Sequence, residues 1–428
     1  MKVHDRPRDR KTATFLMRLG RPEECPYIRW ATLVLVFLSV GGSIALAVID
    51  ATGHQIDFDI YRMGAAHALG PHLYETRLPR LLMGGRRGMH FTYPPFAALL
   101  FWPFTRLSVT AGQLIWSLFN LGVLAALTAL SIRALRPRWS CQRAWTIAAI
   151  LLFPILRLNP DLLTLDYGQI NFCITLMVLV DLICTIRVRS HELPRGMLVG
   201  IAAAVKLTPL IFIPFLLLTR QFKAGAAALA TFLLCSLGAF AIAPSSSRQY
   251  WSIDIFDPSR SGNLLYISNQ DLHSALQRII GVTPPLALIA SLTALCAIGG
   301  LVAAAAAYRA SSPMLGILTC AATGLIISPV SWAHHYVWIV PALAWLVLGA
   351  DRPRGGPWWA VATAAVFWAA PIWWVADPQH GYGGPSTLLA GNSYFLAAIA
   401  LVAAAAARLM LRRPADPEEY AALVSAHG

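Results

Sequence analysis

The chain has 428 residues, of which 57% are apolar and only 13% charged, with a mean hydropathy of +0.60. That balance excludes an ordinary soluble domain, and apolar runs that are continuous rather than alternating favour membrane helices over a closed barrel. The formal net charge of +14 does not mark a nucleic-acid binder, because most Lys and Arg sit in short segments between apolar runs, where they set membrane orientation.

Residues 1–29 are polar and basic and form an expected cytoplasmic N-terminus, disordered at its start. The apolar run over 31–49 has no small-residue cleavage site, so it reads as an uncleaved first span rather than a signal peptide. It delivers the stretch from Ile56 to Glu75 to the outer face. There Asp57 and Asp59 stand close to the membrane surface, followed by Tyr61 and a short helical run from Met63 to Leu69 that Gly70 and Pro71 stop. A carboxylate held at a membrane edge by a helix lying along it suits an enzyme acting on lipid-linked substrates. The outer segment, about 50–109, ends in FTYPPFAALLFWPF over 91–104, which is apolar but short and proline-broken. It reads as interfacial or re-entrant rather than as a crossing.

Spans are predicted over 110–133, 144–157 and 168–187, with Asp161 and Asp166 in a short outer loop between the last two. The run 196–219 is basic at both ends and contains Lys206, Pro209 and Pro214. Two short half-helices that turn back are expected there, since broken helices occur where backbone lines a cavity or is buried in protein. A span over 224–243 leads to a second outer segment, 244–283, which holds Asp254, Asp257, Asn269, Gln270, Asp271, His273 and Arg278. Spans over 284–308, 313–330, 334–350, 358–376 and 390–411 follow, and then a cytoplasmic tail, 412–428. The expectation is an all-α, polytopic fold of about 12 membrane helices, ten full crossings plus the half-helix pair, in one domain over 30–411 with interfacial helices in its outer loops. It places the protein in the plasma membrane with both termini cytoplasmic. The seven cysteines form no C-x-x-C pair and suggest neither a disulfide framework nor a zinc site.

Sorted by side, Asp57, Asp59, Asp161, Asp166, Asn269, Gln270, Asp271, His334 and His335 collect on the outer face, while the inner face is nearly all arginine. A transporter is expected to place ionisable residues near the bilayer midplane, where only Asp181 and Lys206 qualify. Chemistry at the outer surface fits better, with a lipid or sugar transporter and a non-catalytic assembly subunit as the competing classes.

The stretches DFDIYRMGAAHALGPHLY, FTYPPFAALLFWPF, DYGQINFCITLMVLVDL, GMLVGIAAAVKLTPLIFIPFLLL, ISNQDLHSALQRI and SPVSWAHHYVWIVPAL resemble, in the same order, segments of glycosyltransferase family 87, over roughly residues 50–350. The resemblance implies the GT-C membrane fold and transfer of a sugar from a polyprenyl-phosphate donor to a lipid-linked glycan on the outer face. Within the family the chain is most similar to the α-1,2-mannosyltransferases that extend phosphatidylinositol mannosides or lipomannan. The arabinofuranosyltransferases are the near alternative. The family's catalytic aspartate stands just after the first span in a D-x-x-x-Y context, which Asp57 and Tyr61 match. Asp59 remains a second candidate, because in an extended segment it would share a face with Asp57. Either acid also suits a helix N-cap.

A sugar phosphate already carries a good leaving group, so the transfer needs one base at the acceptor hydroxyl and positive charge or donors at the departing phosphate, with inversion at C1. Lys206 is the main phosphate candidate; a snorkelling lysine or a structural pair with Asp181 is its other reading. His334 and His335 are candidates for the donor phosphate or a sugar hydroxyl, or for a packed interfacial pair. Asn269 and Gln270 read as sugar-hydroxyl partners or turn residues, Gln169 and Asn171 as the same or as helix caps. Arg62 is a candidate for a lipid phosphate and Tyr93 for stacking on sugar or lipid. No cluster with metal-ligand spacing is evident in the sequence, so no cofactor and no metal are expected.

Overall fold

A computed structural model describes residues 26–78, 88–188, 191–375 and 384–411. The expectations for residues 1–25 and 412–428, Cys25 among them, lie outside the described residues. The helices are α1 (Pro26–Thr52), α2 (Ile56–Ala66), α3 (Pro95–Phe101), α4 (Val109–Leu135), α5 (Cys141–Leu156), α6 (Asn159–Asp166) and α7 (Asn171–Ile183) in the first half. The second half adds α8 (Met197–Val205), α9 (Phe212–Leu218), α10 (Phe222–Ile242), α11 (Pro244–Ser252), α12 (Leu272–Ile280), α13 (Leu286–Arg309), α14 (Pro313–Ile327), α15 (Ile339–Leu348), α16 (Gly356–Ala369), α17 (Pro385–Gly391) and α18 (Ser393–Leu411). Among the described residues the regular structure is helical apart from a two-residue-per-strand hairpin, β1 (Arg187–Val188) against β2 (His191–Glu192).

Four described helices are long and apolar enough to cross a membrane, α4, α10, α13 and the Arg29–Thr52 part of α1, or six if two bent pairs each count as one span. Ten full crossings are therefore not matched by ten long helices. Over 168–187 and 313–330 the helices are only 13 and 15 residues long, about 20 Å at 1.5 Å per residue against a hydrocarbon core of about 30 Å. A continuous apolar run does not reveal where its backbone bends. Thus α5 turns by 84° into α6, so Asp161 and Asp166, expected in an outer loop, lie on a helix, with Asp161 fully buried.

The four long helices differ in place. The apolar window of α4 is 61% buried, against 17% for α1, 22% for α10 and 11% for α13, which makes α4 the central helix and leaves the others facing outward. The aromatic core beside α4 is built from both chain segments that follow the first span. Phe58 stacks on Trp116 with ring centres 6.2 Å apart and meets Phe101 and Phe104 edge-on.

The 196–219 run is broken as its prolines and lysine suggest, with α8 ending at Val205, a 3-10 turn over Thr208–Ile211, and α9 after it. The two pieces run in opposite directions along α10. A side chain at Gly196 would meet Ala224, Ala203 and Ala204 pack with Phe232, Leu207, Leu210 and Cys235 pack against that cluster, and a side chain at Gly225 would meet Leu217. At the open end Arg195 donates to Gln221 Oε1 at 3.3 Å. Asp181 accepts the backbone N–H groups of Gly196 and Val199, both at 2.8 Å, and so satisfies the first turn of α8. It is not the partner of Lys206.

The segments 50–109 and 244–283 clasp each other. Ser246 Oγ donates to the Gly70 carbonyl at 2.9 Å, Tyr74 stacks on Tyr250 at 5.4 Å, and the Arg260 guanidinium donates to the Tyr74 carbonyl.

Candidate active site

The stretch from Gln55 is helical from Ile56, so Asp57 and Asp59 are two residues apart on a helix, about 200° around it, rather than on one face of an extended segment. Neither caps the helix. Gln55 occupies that position, and the Tyr167 carbonyl takes the N–H groups of Asp57 and Phe58 at 2.9 and 3.1 Å. Asp59 turns toward α4, where Gln113 Nε2 donates to its Oδ1 at 3.2 Å. Burial raises its carboxyl above the usual range, against the pull of His54, Gln113 and Arg62. Arg62, one turn on, is occupied by the Leu107 carbonyl at 2.7 Å.

Asp57 faces the other way, together with Tyr61 one turn later, and is half-buried. The Gln169 side chain and the charge of Lys206 both act on its carboxylate. Gln169 Oε1 in turn accepts from Tyr61 Oη at 2.7 Å and lies 3.1 Å from Tyr93 Oη, while the two phenol oxygens are 2.9 Å apart. Burial pushes the Asp57 carboxyl up to about 6, with Gln169 and Lys206 pulling in the opposite direction.

The loop that brings Gln169 here is built around Gly168, whose φ of +66° falls in the left-handed region. A Cβ at Gly168 would stand 2.7 Å from Phe58 Cβ and 2.9 Å from Gln55 Oε1, so α2 can approach only because the position has no side chain. Trp116 Nε1 fixes the same turn by donating to the Gly168 carbonyl at 2.7 Å.

Lys206 sits at the tip of the α8–α9 hairpin. Its ammonium donates to Asn171 Oδ1 at 2.8 Å, lies 3.0 Å from His335 Nε2, and stands over the Tyr93 ring at 5.4 Å. Asn171 Nδ2 donates to the His334 carbonyl at 2.7 Å, and Thr164 Oγ1 reaches the same carbonyl at 3.2 Å. His334 and His335 stand on a 3-10 turn, Ala333–Trp338, their rings edge-on at 4.8 Å, with the Tyr167 ring against His334 at 5.5 Å. Neither ring nitrogen of His334 has a hydrogen-bond partner. Seven of the residues singled out in the sequence, Asp57, Tyr93, Gln169, Asn171, Lys206, His334 and His335, thus converge from five separate segments.

Asn269 and Gln270 do not join them. Both are fully buried, and their side chains hold backbone: Asn269 Oδ1 accepts from Ser331 N at 2.8 Å, while Gln270 bonds the carbonyls of Ile267 and Gly391 and the N–H of Phe395. They brace the segment that leads into His334 rather than offering groups to a sugar. The sequence reading did not single out Thr164, and it named Tyr61 only as a motif residue. A phenol one helical turn from a buried carboxylate is the signal for Tyr61; no local signal exists for Thr164.

Beside Lys206, Asn171 and His335 opens a groove whose remaining walls are largely apolar, among them Ile174, Val178, Ile211, Phe212, Leu325 and Trp338. One polar end and one long apolar wall match an amphipathic ligand with a charged head.

A many-helix membrane protein that sets an ammonium and an imidazole at the head of an apolar groove, with a carboxylate joined to them through Gln169 and Tyr93, has the composition of an enzyme acting on lipid substrates. The model of glycosyltransferase family 87 matches residues 91–329, and the chain belongs to this family. It is 32% identical, over 88% of its length and 89% of theirs, to the polyprenol-phosphate-mannose-dependent α-(1-2)-phosphatidylinositol mannoside mannosyltransferase of Mycolicibacterium smegmatis. The protein so described in Mycobacterium tuberculosis H37Rv is also 32% identical, over 91% of this chain and 92% of its own. A pentamannoside mannosyltransferase of M. tuberculosis CDC 1551 is 30% identical over 82% of each. No solved structure matches.

Proposed function

We propose that the protein transfers mannose, with inversion at C1, from a polyprenyl-phosphate-mannose donor to a hydroxyl of a phosphatidylinositol mannoside-type glycolipid in α-1,2 linkage. Asp57 is the base that takes the acceptor proton, and Lys206 with His335 holds the donor phosphate as it departs. The observation that carries this reading is Tyr93, whose hydroxyl donates to the Gln169 amide oxygen at 3.1 Å on the Asp57 side and whose ring lies 5.4 Å from the Lys206 ammonium at the polar end of the groove. A base for one end of the reaction and a cation for the other are what a displacement at C1 of a sugar phosphate requires. The apolar wall of the groove suits the isoprenoid chain of such a donor. The activities of the relatives supply the sugar and the acceptor.

Because Lys206 and His335 already meet the phosphate charge, the proposed reaction needs no metal. The site is assigned to the outer face. Supporting that side, α10 starts beside Arg195 and Gln221, and Arg309 reaches the Leu218 carbonyl there; the other end of α10 leads to Ser246, bonded to the loop that follows α2. Basic residues therefore mark the end away from Gly70, as the inner side of a bilayer would.

The test is transfer of labelled mannose from polyprenyl-phosphate-mannose to a phosphatidylinositol mannoside by the purified protein in detergent. Transfer by wild type and none by Asp57→Asn is expected; a wild type inert with mannose but active with a polyprenyl-phosphate pentose would overturn the donor assignment.

A further inference from the structure

The Gln169 side chain is only 3% exposed and the Tyr61 side chain 1%, so neither presents a free surface to a sugar, although both stand next to Asp57. Their polar atoms are spent on each other. The amide oxygen of Gln169 is 2.7 Å from the Tyr61 hydroxyl and 3.1 Å from that of Tyr93, close enough for both phenol protons to fill its two acceptor sites. With its oxygen so engaged, the amide keeps its NH₂ group for the Asp57 carboxylate, on which Gln169 acts to favour the charged form. An amide turned the other way would set its oxygen against the carboxylate.

The backbone enforces the same arrangement. The Tyr167–Gln169 turn is bolted to the start of α2 through the Tyr167 carbonyl, and to α4 through Trp116 and the Gly168 carbonyl. Tyr61 comes from α2 itself, one turn beyond Asp57, so one helix carries both the carboxylate and the phenol that orients the carboxylate's partner.

We propose that Gln169 and Tyr61 are positioning residues, which aim one carboxylate oxygen of Asp57 at the acceptor hydroxyl and favour its ionised form, and do not touch substrate. This rests on Asp57 being the base. It departs from the sequence-based expectation that Gln169 meets a sugar or a phosphate.

The experiment is the pH dependence of kcat and the donor KM for wild type, Gln169→Ala, Tyr61→Phe and the Tyr61→Phe/Tyr93→Phe pair, with Asp57→Asn as control and melting in detergent recorded for each. Removing a hydrogen bond to the charged form raises a carboxyl, so the acid limb of kcat moves to higher pH, by about one unit in Gln169→Ala and less in Tyr61→Phe, where Tyr93 still holds the amide. The plateau kcat falls roughly 10-fold in Gln169→Ala as the carboxylate loses its aim, and the donor KM stays put. An unmoved limb in folded variants, or a raised donor KM with an unmoved limb, overturns the proposal while leaving the base assignment intact. Full transfer by Asp57→Asn overturns both. If Gln169→Ala does not fold, the phenol variants decide alone, since each keeps its ring.

Discussion

Nζ of Lys206 lies 3.0 Å from Nε2 of His335, which makes the imidazole an acceptor at that nitrogen and places its proton on Nδ1. An ammonium so held has Asn171 and His335 as fixed neighbours and a further proton for an oxyanion. Charge-assisted hydrogen bonds contribute about 1.5–3 kcal/mol, or roughly 10- to 150-fold. Lys206→Ala is expected to lower kcat/KM for the donor by that factor or more, read in initial rates against donor concentration. His335→Ala removes a neutral partner and lowers it less.

The two carboxylates of α2 should separate cleanly. Loss of a general base costs about 10²–10⁴ in rate, so Asp57→Asn is expected to fall in that range. Asp59→Asn can keep its contact with Gln113 and is expected to stay within a few-fold of wild type in the same assay. The reverse ranking would move the base to the α4 side of the helix.

The Asp57 carboxyl, raised to about 6 by burial, acts as a base only when ionised. The kcat of the wild type is therefore expected to rise as the pH climbs through about 6, the acid limb of its profile. A profile flat from pH 5 to 8 would show that no such group limits the rate.

Gly196 starts α8 at φ +99°, where a Cβ would stand 1.9 Å from the Ala224 carbonyl oxygen. Gly196→Ala is expected to destabilise the protein by at least the 1–3 kcal/mol typical of overpacking, seen as a lower melting temperature in detergent. Activity should fall with it, because the same hairpin carries Lys206.

Activity is expected to ignore EDTA, since protein cations are proposed to meet the phosphate charge. Loss of transfer in chelator, restored by Mg²⁺ or Mn²⁺, would require an ion in the place given to Lys206.

Much of the site was readable in the sequence because its members are costly where they stand. Lys206 inside an apolar run, the His334–His335 pair after a proline-containing turn, and Asp57 just past a span each conflict with their surroundings, and such conflicts concentrate at functional sites. The break at Lys206 was equally legible, from Pro209, Pro214 and basic residues at both ends of one run. What was not legible was direction. Nothing local shows that residue 56 already begins a helix, and that single fact sets Asp57 and Asp59 on opposite sides. Asn269 and Gln270 misled for a related reason: polar residues in an outer segment look available until the fold shows their amides spent on Ser331, Gly391 and Phe395. The number of crossings was not legible where apolar runs conceal bends, as between α5 and α6.

The meeting of Arg195 with Gln221 settles a matter of parity. The chain leaves and rejoins one level of the bundle between those residues, so the α8–α9 excursion is an even step, and the sidedness of everything from α10 onward is tied to that of α7. A change that straightened the excursion into a single passage would do more than misplace a lysine. It would invert the second half of the protein relative to the first, and send the histidine turn to the opposite side of the bilayer from Asp57.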